Sequence, residues 1–449
     1  MAGNENYEDL LNFDLNVKSL GKCKYDSPIA LSTVEGDNIA NFVSDEERIL
    51  VINSKKELEE WNKKGIPIPS FEKAGPREKI FFKPGETISA IVTCGGLCPG
   101  LNSVIRAIVY MNYYRYHNRI TYGIKYGYEG FIDKYDHEII NLTPDIVENI
   151  HKIGGTMLGS SRGPQDIGDI VDKLVKLKVN ILYTIGGDGT LKGALEIAKE
   201  IEKRNLKISV IGVPKTIDND ISYIDKSFGS ETAFSKACDA IDAAHVEAKG
   251  AYNGIGIVKV MGRSSGFIAA NATIASNDVN FCLIPELPFE LYGKNGFLEA
   301  LKKRLEKSHH AVILVAEGAG QNFFENKEKK YDASGNEKLN DIGLFLKEKI
   351  KEYLDKEGIP CSIKYIDPSY IIRSTEPTPN DSIFCIQLAQ KAVHAGMAGK
   401  TMIVIGYYNG EFIHLPIEIA TSRRKVLDPE SELWLSVIEA TGQPVKFDK

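Results

Sequence analysis

Two stretches constrain the fold of this chain most, because each joins a buried strand to a turn rich in functional groups. The first, residues 181–190, is an apolar and partly β-branched run that ends in the letters GGDGT. Such a run is typical of a buried parallel strand, and residues 191–199 then favour a helix. The glycines therefore lie at a strand-to-helix turn, where backbone N–H groups and the helix dipole bind phosphate.

Asp188 lies inside this anion-binding turn. A carboxylate beside a phosphate is repelled unless a cation lies between them. Mg²⁺ that bridges Asp188 and phosphate oxygens is the simplest explanation of the pattern. The turn therefore predicts a metal site at Asp188.

The second stretch, residues 208–220, is a strand that breaks at Pro214 and continues as the letters KTIDND. Carboxylates at i and i+2 of an extended segment share a side, which predicts that Asp218 and Asp220 work together. One would act as base towards a substrate hydroxyl, and the other would serve a metal or the geometry. An isolated D-N-D is more often a surface turn, but the glycine turn upstream favours phosphoryl transfer.

Four motifs in this order resemble the phosphofructokinase family, and the resemblance extends over residues 86–425. They are GGLCPGLN at 95–102, GGDGT at 186–190, PKTIDND at 214–220 and MGRSSG at 261–266. NAD kinases and diacylglycerol kinases carry a turn similar to GGDGT. They are not expected to combine it with PKTIDND and MGR, so the resemblance favours the phosphofructokinase family.

Composition and charge exclude several other classes of protein. The 449 residues carry a net charge of −6 with no basic stripe, which argues against nucleic acid as a partner. The seven cysteines are scattered without a C-x-x-C pair, which fits reduced thiols. The acidic start is unlike a targeting peptide, and no apolar run reaches membrane-spanning length. We therefore expect no membrane partner and a cytoplasmic location.

Alternating buried strands and helices predict an α/β fold with mostly parallel sheets. The resemblance implies two Rossmann-like three-layer domains with the active site in the cleft between them, preceded by an N-terminal extension. The implied divisions are an N-terminal extension at 1–85, a nucleotide-donor domain at 86–229 and 381–430, a sugar-phosphate domain at 230–380, and a C-terminal tail at 431–449.

Three local predictions accompany this division. Ser230 or Thr232 is expected to cap the helix that follows the second motif. The charged residues from Asn322 to Asn340 are expected to form a surface excursion. The basic residues 421–425 are usually a solvated patch, with a phosphate-binding or effector role as the less common alternative.

On the donor side, the resemblance implies that the glycine turns and the glycine-dense segment 154–163 bind the phosphates of the nucleotide. Arg162 would lie across those phosphates, where its guanidinium suits a charge spread over several oxygens. The implied donor-binding residues are Gly95, Gly96, Arg162, Gly163, Gly187, Asp188, Gly189, Thr190 and Lys215.

On the acceptor side, the resemblance implies a sugar-phosphate site at the ends of later strands. From the local sequence alone, Glu317 is as much a capping residue as a partner of sugar hydroxyls, and Arg373 fits either a 6-phosphate or a surface ion pair. The implied acceptor-binding residues are Thr216, Ile217, Asp218, Met261, Gly262, Arg263, Glu317, Tyr370 and Arg373.

The implied reaction is Mg²⁺-assisted transfer of a phosphoryl group from ATP to the 1-hydroxyl of fructose 6-phosphate. Asp218 would take the hydroxyl proton, Thr216 and Asp220 would position the acceptor, and Arg162 would complete the catalytic set. The family is typically tetrameric and built from dimers, so we expect a homo-oligomer, either a dimer or a tetramer.

The donor is the point on which the motifs disagree. Pyrophosphate-using relatives carry Asp in place of Gly189, whereas Lys215 is the residue that those relatives share. This mixture resembles the plant and trypanosome ATP-dependent branch, and Gly189 clears space for a nucleotide, so ATP is predicted. The alternatives are a pyrophosphate-dependent phosphotransferase and a non-catalytic regulatory subunit, although a regulatory subunit would be expected to lose the acidic groups that remain here.

Overall fold

The structure is a computed structural model that describes residues 7–324 and 338–448. Most of the surface excursion predicted from Asn322 to Asn340 lies outside the described residues. Within them, no helix combines the length and apolar character needed to cross a bilayer.

Strands recur along the whole described chain. They are β1 (Lys18–Ser19), β2 (Tyr25–Asp26), β3 (Arg48–Leu50), β4 (Ser70–Lys73), β5 (Lys79–Ile80), β6 (Ile88–Thr93), β7 (Ile120–Ile124), β8 (Ile139–Asn141), β9 (Ile181–Gly186), β10 (Ser209–Pro214), β11 (Gly254–Val260), β12 (Phe281–Leu283), β13 (His310–Ala316), β14 (Ser362–Ile366), β15 (Lys400–Thr401), β16 (Ile403–Tyr408) and β17 (Glu411–Pro416).

Helices alternate with these strands. They are α1 (Lys55–Lys64), α2 (Leu101–Tyr110), α3 (Pro144–Val147), α4 (Ile167–Lys176), α5 (Asp188–Lys203), α6 (Ser230–Lys249), α7 (Phe267–Ser276), α8 (Phe297–Ser308), α9 (Ile342–Lys356), α10 (Ser369–Ser374), α11 (Pro379–Met397), α12 (Ile417–Ala420) and α13 (Glu432–Thr441).

The larger sheet has nine strands in the order β3-β4-β17-β16-β10-β9-β6-β7-β8. Its five middle strands from β16 to β7 are parallel, and the outer pairs are antiparallel. The chain runs from β6 to β7 on one side and continues at β9 on the other. The topological switch point therefore lies between β6 and β9, where open α/β sheets bind their ligands.

The smaller sheet has four parallel strands in the order β12-β13-β11-β14. Together the two sheets confirm the predicted α/β class with mostly parallel strands. Every residue of β6, β9 and β10 is buried, as expected for strands covered on both faces.

Helices cover both faces of each sheet, so each sheet forms the middle of three layers. In the larger sheet, Leu182 packs with α4 and α5, whereas Tyr183 packs with α2 and α11 on the opposite face. The smaller sheet is covered by α6, α7 and α13 on one face and by α8 and α9 on the other. The alternation of side chains along each strand decides which helices it meets.

The segment before β6 is joined to the larger sheet. Strands β3 and β4 extend that sheet by antiparallel pairing, and β1 pairs with β15. Leu10 and Phe71 are buried in one of its cores. An extension that packs on the main body was expected, but its strand pairing had no signal in the local sequence.

The predicted side-chain cap of α6 is wrong. The N-cap residue is Gly229, which has a φ of 87° and no side chain to cap the first turn. The hydroxyl of Thr232 instead donates to the buried carboxylate of Asp381 at 2.6 Å, and the Thr232 backbone N–H donates to it at 2.7 Å. This contact ties α6 to the start of α11.

A close approach between α6 and β11 gives a test of the fold. A Cβ added at Gly256 would lie 2.7 Å from the Ala244 carbonyl oxygen and 2.9 Å from the Ala244 Cβ. We expect Gly256→Ala to lower the free energy of unfolding by about 1–3 kcal/mol, because the helix must move away from the sheet. Denaturant titration measures this loss.

Gly189→Ala is the matched control. Beyond the adjacent residues and the backbone of its own helix, a Cβ at Gly189 would meet no described atom within 4 Å. We expect its free energy of unfolding to stay within about 0.5 kcal/mol of the parent or to rise slightly. Equal losses in the two variants would contradict the packing argument.

Candidate active site

The turn after β6 lies against the glycine-dense segment 154–163. The Gly95 N–H donates to the Ser161 carbonyl oxygen at 3.2 Å, and the Ser160 hydroxyl donates to the Gly95 carbonyl oxygen at 2.6 Å. A Cβ at Gly96 would lie 3.5 Å from a terminal nitrogen of Arg162. The structure therefore places the Arg162 guanidinium beside the first glycine turn.

Lys215 is buried between the two glycine turns, with an exposed fraction of 7%. Its ammonium donates to the Gly96 carbonyl oxygen at 2.6 Å, and its backbone N–H donates to the Gly186 carbonyl oxygen at 3.0 Å. Burial lowers the pKa of Lys215, and the nearby cations Arg162 and Arg373 lower it further. Three cationic side chains therefore converge on this site.

Helix α5 begins at Asp188, three residues earlier than predicted, with Gly187 as its N-cap residue. Gly189 and Thr190 therefore belong to the first turn of the helix. The Thr190 carbonyl oxygen accepts a hydrogen bond from the buried Tyr128 hydroxyl at 2.8 Å. Gly189 is exposed, so the first turn of α5 is open at this position.

Asp188 is the predicted metal ligand, and its carboxylate pairs with Lys192 at 3.0 Å. In the described part of the chain, no group of three or more His, Cys, Asp or Glu side chains is arranged to hold a metal ion. Mg²⁺ at phosphate sites is usually held by one or two carboxylates together with substrate phosphates and water. A single carboxylate at the open start of α5 fits that requirement.

Asp218 lies where the two sheets meet. Its Oδ2 atom is 3.5 Å from the Arg263 backbone N–H, and its carbonyl oxygen accepts from the Ser265 hydroxyl at 2.9 Å. The Oδ1 atom is buried, and no group among the described residues donates a hydrogen bond to it. Burial is the main cause that raises the pKa of Asp218, the charges of Asp220 and Glu317 add to it, and the resulting pKa is about 7.

The prediction that Asp218 and Asp220 share one side of an extended segment is wrong. Asn219 between them has a φ of 53°, in the left-handed region, so the chain turns there. Asp220 faces different partners: it accepts from the Thr216 hydroxyl at 2.5 Å and pairs with Arg424 at 3.2 Å. Asp218 keeps the free oxygen, whereas Asp220 is held by its neighbours.

Ile217 joins the two halves of the molecule. Its side chain packs against a core of the larger sheet and against a core of the smaller one. The Thr216 carbonyl oxygen accepts from the Ser227 hydroxyl at 2.7 Å, and the Asn219 side chain accepts from the Ser227 backbone N–H at 2.9 Å. The loop that carries Asp218 is therefore fixed from both sides.

The residues that follow β11 and β13 form the part of the site that belongs to the smaller sheet. Gly262 has a φ of 128°, and its carbonyl oxygen accepts from the Gly318 N–H at 3.0 Å. A Cβ at Gly318 would lie 1.9 Å from the Arg263 carbonyl oxygen. This contact requires glycine at 318 and brings Glu317 next to the Met261-Gly262-Arg263 turn.

Arg373 and Tyr370 both lie on α10 but differ in their surroundings. The Arg373 Nε atom is 3.1 Å from the sulfur of the buried Met261, and its charge lowers the pKa of both Asp218 and Lys215. Tyr370 has an exposed fraction of 81%, so the structure does not pack it against the rest of the site.

Gly163, which follows Arg162, adopts a positive φ of 99°.

Sequence reasoning missed two residues that hold the site together. Ser265 stands inside the MGRSSG motif, but no local signal pairs its hydroxyl with the Asp218 carbonyl group. Asp381 is fully buried and binds α6 to α11. An aspartate near a helix start is ordinary in sequence, and its burial depends on tertiary packing.

The sequence profile of the phosphofructokinase family matches residues 89–396, which is more than half of the chain. This chain belongs to the phosphofructokinase family. The membership predicted from the four motifs is thus confirmed.

Two relatives among curated proteins show the degree of similarity. The "ATP-dependent 6-phosphofructokinase" of Borreliella burgdorferi is 49% identical over 442 residues, covering 97% of this chain and 98% of the relative. The protein of the same name from Trypanosoma brucei brucei is 49% identical over 373 residues, covering 82% of this chain and 76% of the relative. The predicted resemblance to the trypanosome branch is confirmed.

A plant relative and a solved structure complete the comparison. The "ATP-dependent 6-phosphofructokinase 5, chloroplastic" of Arabidopsis thaliana is 48% identical and covers 83% of this phosphofructokinase-family chain and 69% of its own. The pyrophosphate-dependent phosphofructokinase from Nitrosospira multiformis has a TM-score of 0.66 at 17% identity, covering 82% of this chain and 93% of its own. At that identity, the structure supports the fold alone.

The raised pKa of Asp218 gives a test that needs no activity. A folded-state pKa above the ordinary carboxyl value near 4 means that the folded protein binds this proton more tightly. This tighter proton binding stabilises the folded protein below about pH 4, and the stabilisation is lost as the pH rises to about 7. Asp218→Asn lacks this titration, so we expect its Tm to exceed that of the parent most above pH 7.

Thermal unfolding of both proteins from pH 4 to pH 8.5 measures this effect. The Tm difference should grow up to about pH 7 and then stay constant. A difference that is independent of pH would contradict the assignment. Asp172→Asn, which removes a carboxylate at a surface ion pair with Arg204, is measured alongside as the control for the loss of one negative charge.

Proposed function

We propose that this member of the phosphofructokinase family is an ATP-dependent 6-phosphofructokinase. It transfers the γ-phosphoryl group of ATP to the 1-hydroxyl of fructose 6-phosphate and forms fructose 1,6-bisphosphate and ADP. One observation supports this most: Asp218 carries a free buried oxygen at the junction of the two sheets, and Arg373, whose charge acts on Asp218, also acts on Lys215 at the glycine turns. The names of the relatives from three different groups of organisms agree with it.

Asp218 is the proposed general base. The proton of the 1-hydroxyl passes to Asp218, and the bond between that oxygen and the γ-phosphorus forms. The bond from the γ-phosphorus to its bridging oxygen breaks, and the electron pair leaves on ADP. A base with a pKa near the working pH combines a useful ionised fraction with adequate basicity. The value of about 7 suits this role.

The donor phosphates are proposed to bind at the switch point between β6 and β9. The backbone of the two glycine turns faces the phosphates, and cationic side chains neutralise their charge. Asp188 would hold Mg²⁺, which supplies further charge neutralisation on the phosphates when bound. The residues assigned to the donor are Gly95, Gly96, Arg162, Gly163, Gly187, Asp188, Gly189, Thr190 and Lys215.

The sugar phosphate is proposed to bind at the ends of β11 and β13, where Arg263 and Arg373 offer positive charge to the 6-phosphate. The hydrogen bond between Thr216 and Asp220 holds the loop after β10, which we call the catalytic loop, and Ile217 anchors that loop in the cores of both sheets. The residues assigned to the acceptor are Thr216, Ile217, Asp218, Met261, Gly262, Arg263, Glu317, Tyr370 and Arg373. In this assignment, the larger sheet carries the donor and the smaller sheet carries the acceptor.

Gly189 supports ATP over pyrophosphate as the donor. Beyond the adjacent residues and the backbone of α5 itself, no described atom lies within 4 Å of a Cβ built there, so space at the start of α5 is free for a nucleotide phosphate. An aspartate side chain would enter that space and repel the phosphates. The buried Lys215 is compatible with either donor, because it neutralises charge without occupying the space beside Gly189.

A non-catalytic regulatory subunit is the alternative of another class. The three acidic residues of the motifs, Asp188, Asp218 and Asp220, are all present, which favours the enzyme over a regulatory subunit. A homo-oligomer, either a dimer or a tetramer, and a cytoplasmic location remain predictions for this chain. Size-exclusion chromatography with light scattering would test the first, and localisation of a tagged protein the second.

One test of the proposed function concerns the base. We expect Asp218→Asn to lower kcat by about 10²- to 10⁴-fold, because the variant cannot accept the hydroxyl proton. The assay measures fructose 1,6-bisphosphate from fructose 6-phosphate, ATP and Mg²⁺. Asp172→Asn should retain full activity. Normal turnover by Asp218→Asn would exclude the assigned base.

A second test concerns the donor. We expect Gly189→Asp to fold normally and to lose ATP-dependent kcat/KM by about 100-fold or more, because a carboxylate then faces the phosphates. Parallel assays with ATP and pyrophosphate on both proteins measure the change. Gly189→Ala, which adds volume without charge, should lose much less. If the parent uses only pyrophosphate, the donor assignment is wrong.

A further inference from the structure

The basic residues 421–425 lie directly against the loop that carries the catalytic aspartates. Arg424 pairs through its guanidinium with Asp220 at 3.2 Å. Ile221 and Arg424 form an antiparallel backbone bridge, and the Lys425 N–H donates to the Asp220 carbonyl oxygen at 2.9 Å. We call residues 421–425 the basic segment. The sequence favours a solvated patch, but Arg424 and Lys425 contact residues 220–225 of the catalytic loop, the loop after β10.

The two other basic side chains of this segment fix its position. The buried Lys425 ammonium donates to the carbonyl oxygens of Ile224 and Asp225. Arg423 pairs with Asp9 at 3.0 Å and donates to the Tyr223 hydroxyl at 3.1 Å. The basic segment is therefore anchored to the catalytic loop and to the N-terminal part of the chain. A segment held at so many points is a rigid support for Arg424.

Arg424 and Thr216 hold the two oxygens of one carboxylate. The Thr216 hydroxyl donates to Oδ1 of Asp220 at 2.5 Å, and Arg424 donates to Oδ2 at 3.2 Å. With both oxygens engaged, the carboxylate has one preferred orientation, and that orientation aims the Thr216 hydroxyl. The Asp220 side chain has an exposed fraction of only 12%, whereas the Arg424 side chain that reaches it from the surface is 38% exposed.

The position of Asp220 also matters for the base. Burial raises the pKa of Asp218 most, the negative charges of Asp220 and Glu317 raise it as well, and Arg373 acts in the opposite direction. Between the two aspartates lies only Asn219, in a left-handed turn. A shift of Asp220 would therefore displace the Thr216 hydroxyl that it holds, and it would change the charge around Asp218, the proposed base.

We propose that Arg424 is a positioning residue for phosphoryl transfer, which acts by holding Asp220 and, through it, Thr216 and the loop of Asp218. This inference rests on the proposed function. The hydrogen bonds and ion pair of Arg424 in the described structure go to Asp220 and Ile221 and not to either glycine turn, so its influence is expected on the acceptor and on the chemical step. Binding of the donor is not expected to depend on it.

Steady-state kinetics of Arg424→Met test the proposal. Methionine keeps much of the side-chain length and removes the charge. We expect kcat to fall about 10- to 100-fold, with KM for ATP changed less than about twofold, because misplacement of the loop weakens the chemical step alone. A kcat within about twofold of the parent value would overturn the proposal.

Two further variants separate positioning from general damage. Arg424→Lys keeps a charge that can reach one oxygen, so it should recover part of the lost kcat. Arg204→Met is the matched control, since Arg204 pairs with Asp172 and Glu200 just beyond the far end of α5. It should keep the parental kcat and KM. Equal losses in Arg424→Lys and Arg424→Met would overturn the proposed role of the charge.

A double-mutant cycle decides whether Arg424 acts through Asp220. If it does, Asp220→Asn together with Arg424→Met should show the same kcat as Asp220→Asn alone, because the pair works as one unit. Losses that multiply would show that Arg424 acts by another route and would overturn the proposal. Thermal unfolding of each variant checks that the proteins compared are folded.

The parent protein keeps the two proposals distinguishable. If the parent forms no fructose 1,6-bisphosphate with ATP or pyrophosphate, the proposed function falls, and the proposed role of Arg424 falls with it. If the parent is active, Asp218→Asn is inactive and Arg424→Met has parental kinetics, only the role of Arg424 is overturned. The two failures therefore give different patterns in one set of assays.

Discussion

The buried carboxylate of Asp218 is the feature on which the rest of the site depends. An ionised group with an unbonded oxygen is costly inside a protein, and both burial and two neighbouring carboxylates raise its pKa to about 7. The surrounding structure compensates for this cost. Ser265 holds the Asp218 backbone, and Ile217 anchors the loop in the cores of both sheets. Folding of both sheets thus holds one reactive group in place.

The parallel sheets explain why the phosphate-binding groups meet at this point. Strands β6 and β9 are neighbours in the larger sheet, so the turns that follow them lie side by side. Lys215 follows the next strand along, β10, and reaches back to the first turn. A ligand placed at the switch point faces backbone N–H groups and cations from three different parts of the chain. Such positions bind phosphate in open α/β sheets.

The charged residues of the candidate site form two regions of opposite sign. Lys215, Arg162 and Arg373 create a positive region suited to phosphates, whereas Asp218, Asp220 and Glu317 create a negative region suited to a proton. Arg373 contributes to both regions, since it lowers the pKa of Lys215 and of Asp218. Phosphoryl transfer depends mainly on positioning and on neutralisation of charge. An arrangement in which both charges are fixed by buried contacts meets these two needs.

The sequence by itself determined the fold class, the strand-to-helix turns and most residues of the candidate site. Buried parallel strands are continuous apolar runs, and glycine turns at their ends are local signals. The tertiary structure decided what depends on contacts distant in sequence. The left-handed turn at Asn219 gave Asp218 and Asp220 separate partners, and β3 and β4 joined the larger sheet. Arg424 pairs with Asp220 across 204 positions of the chain, and no local pattern encodes a pairing of that range.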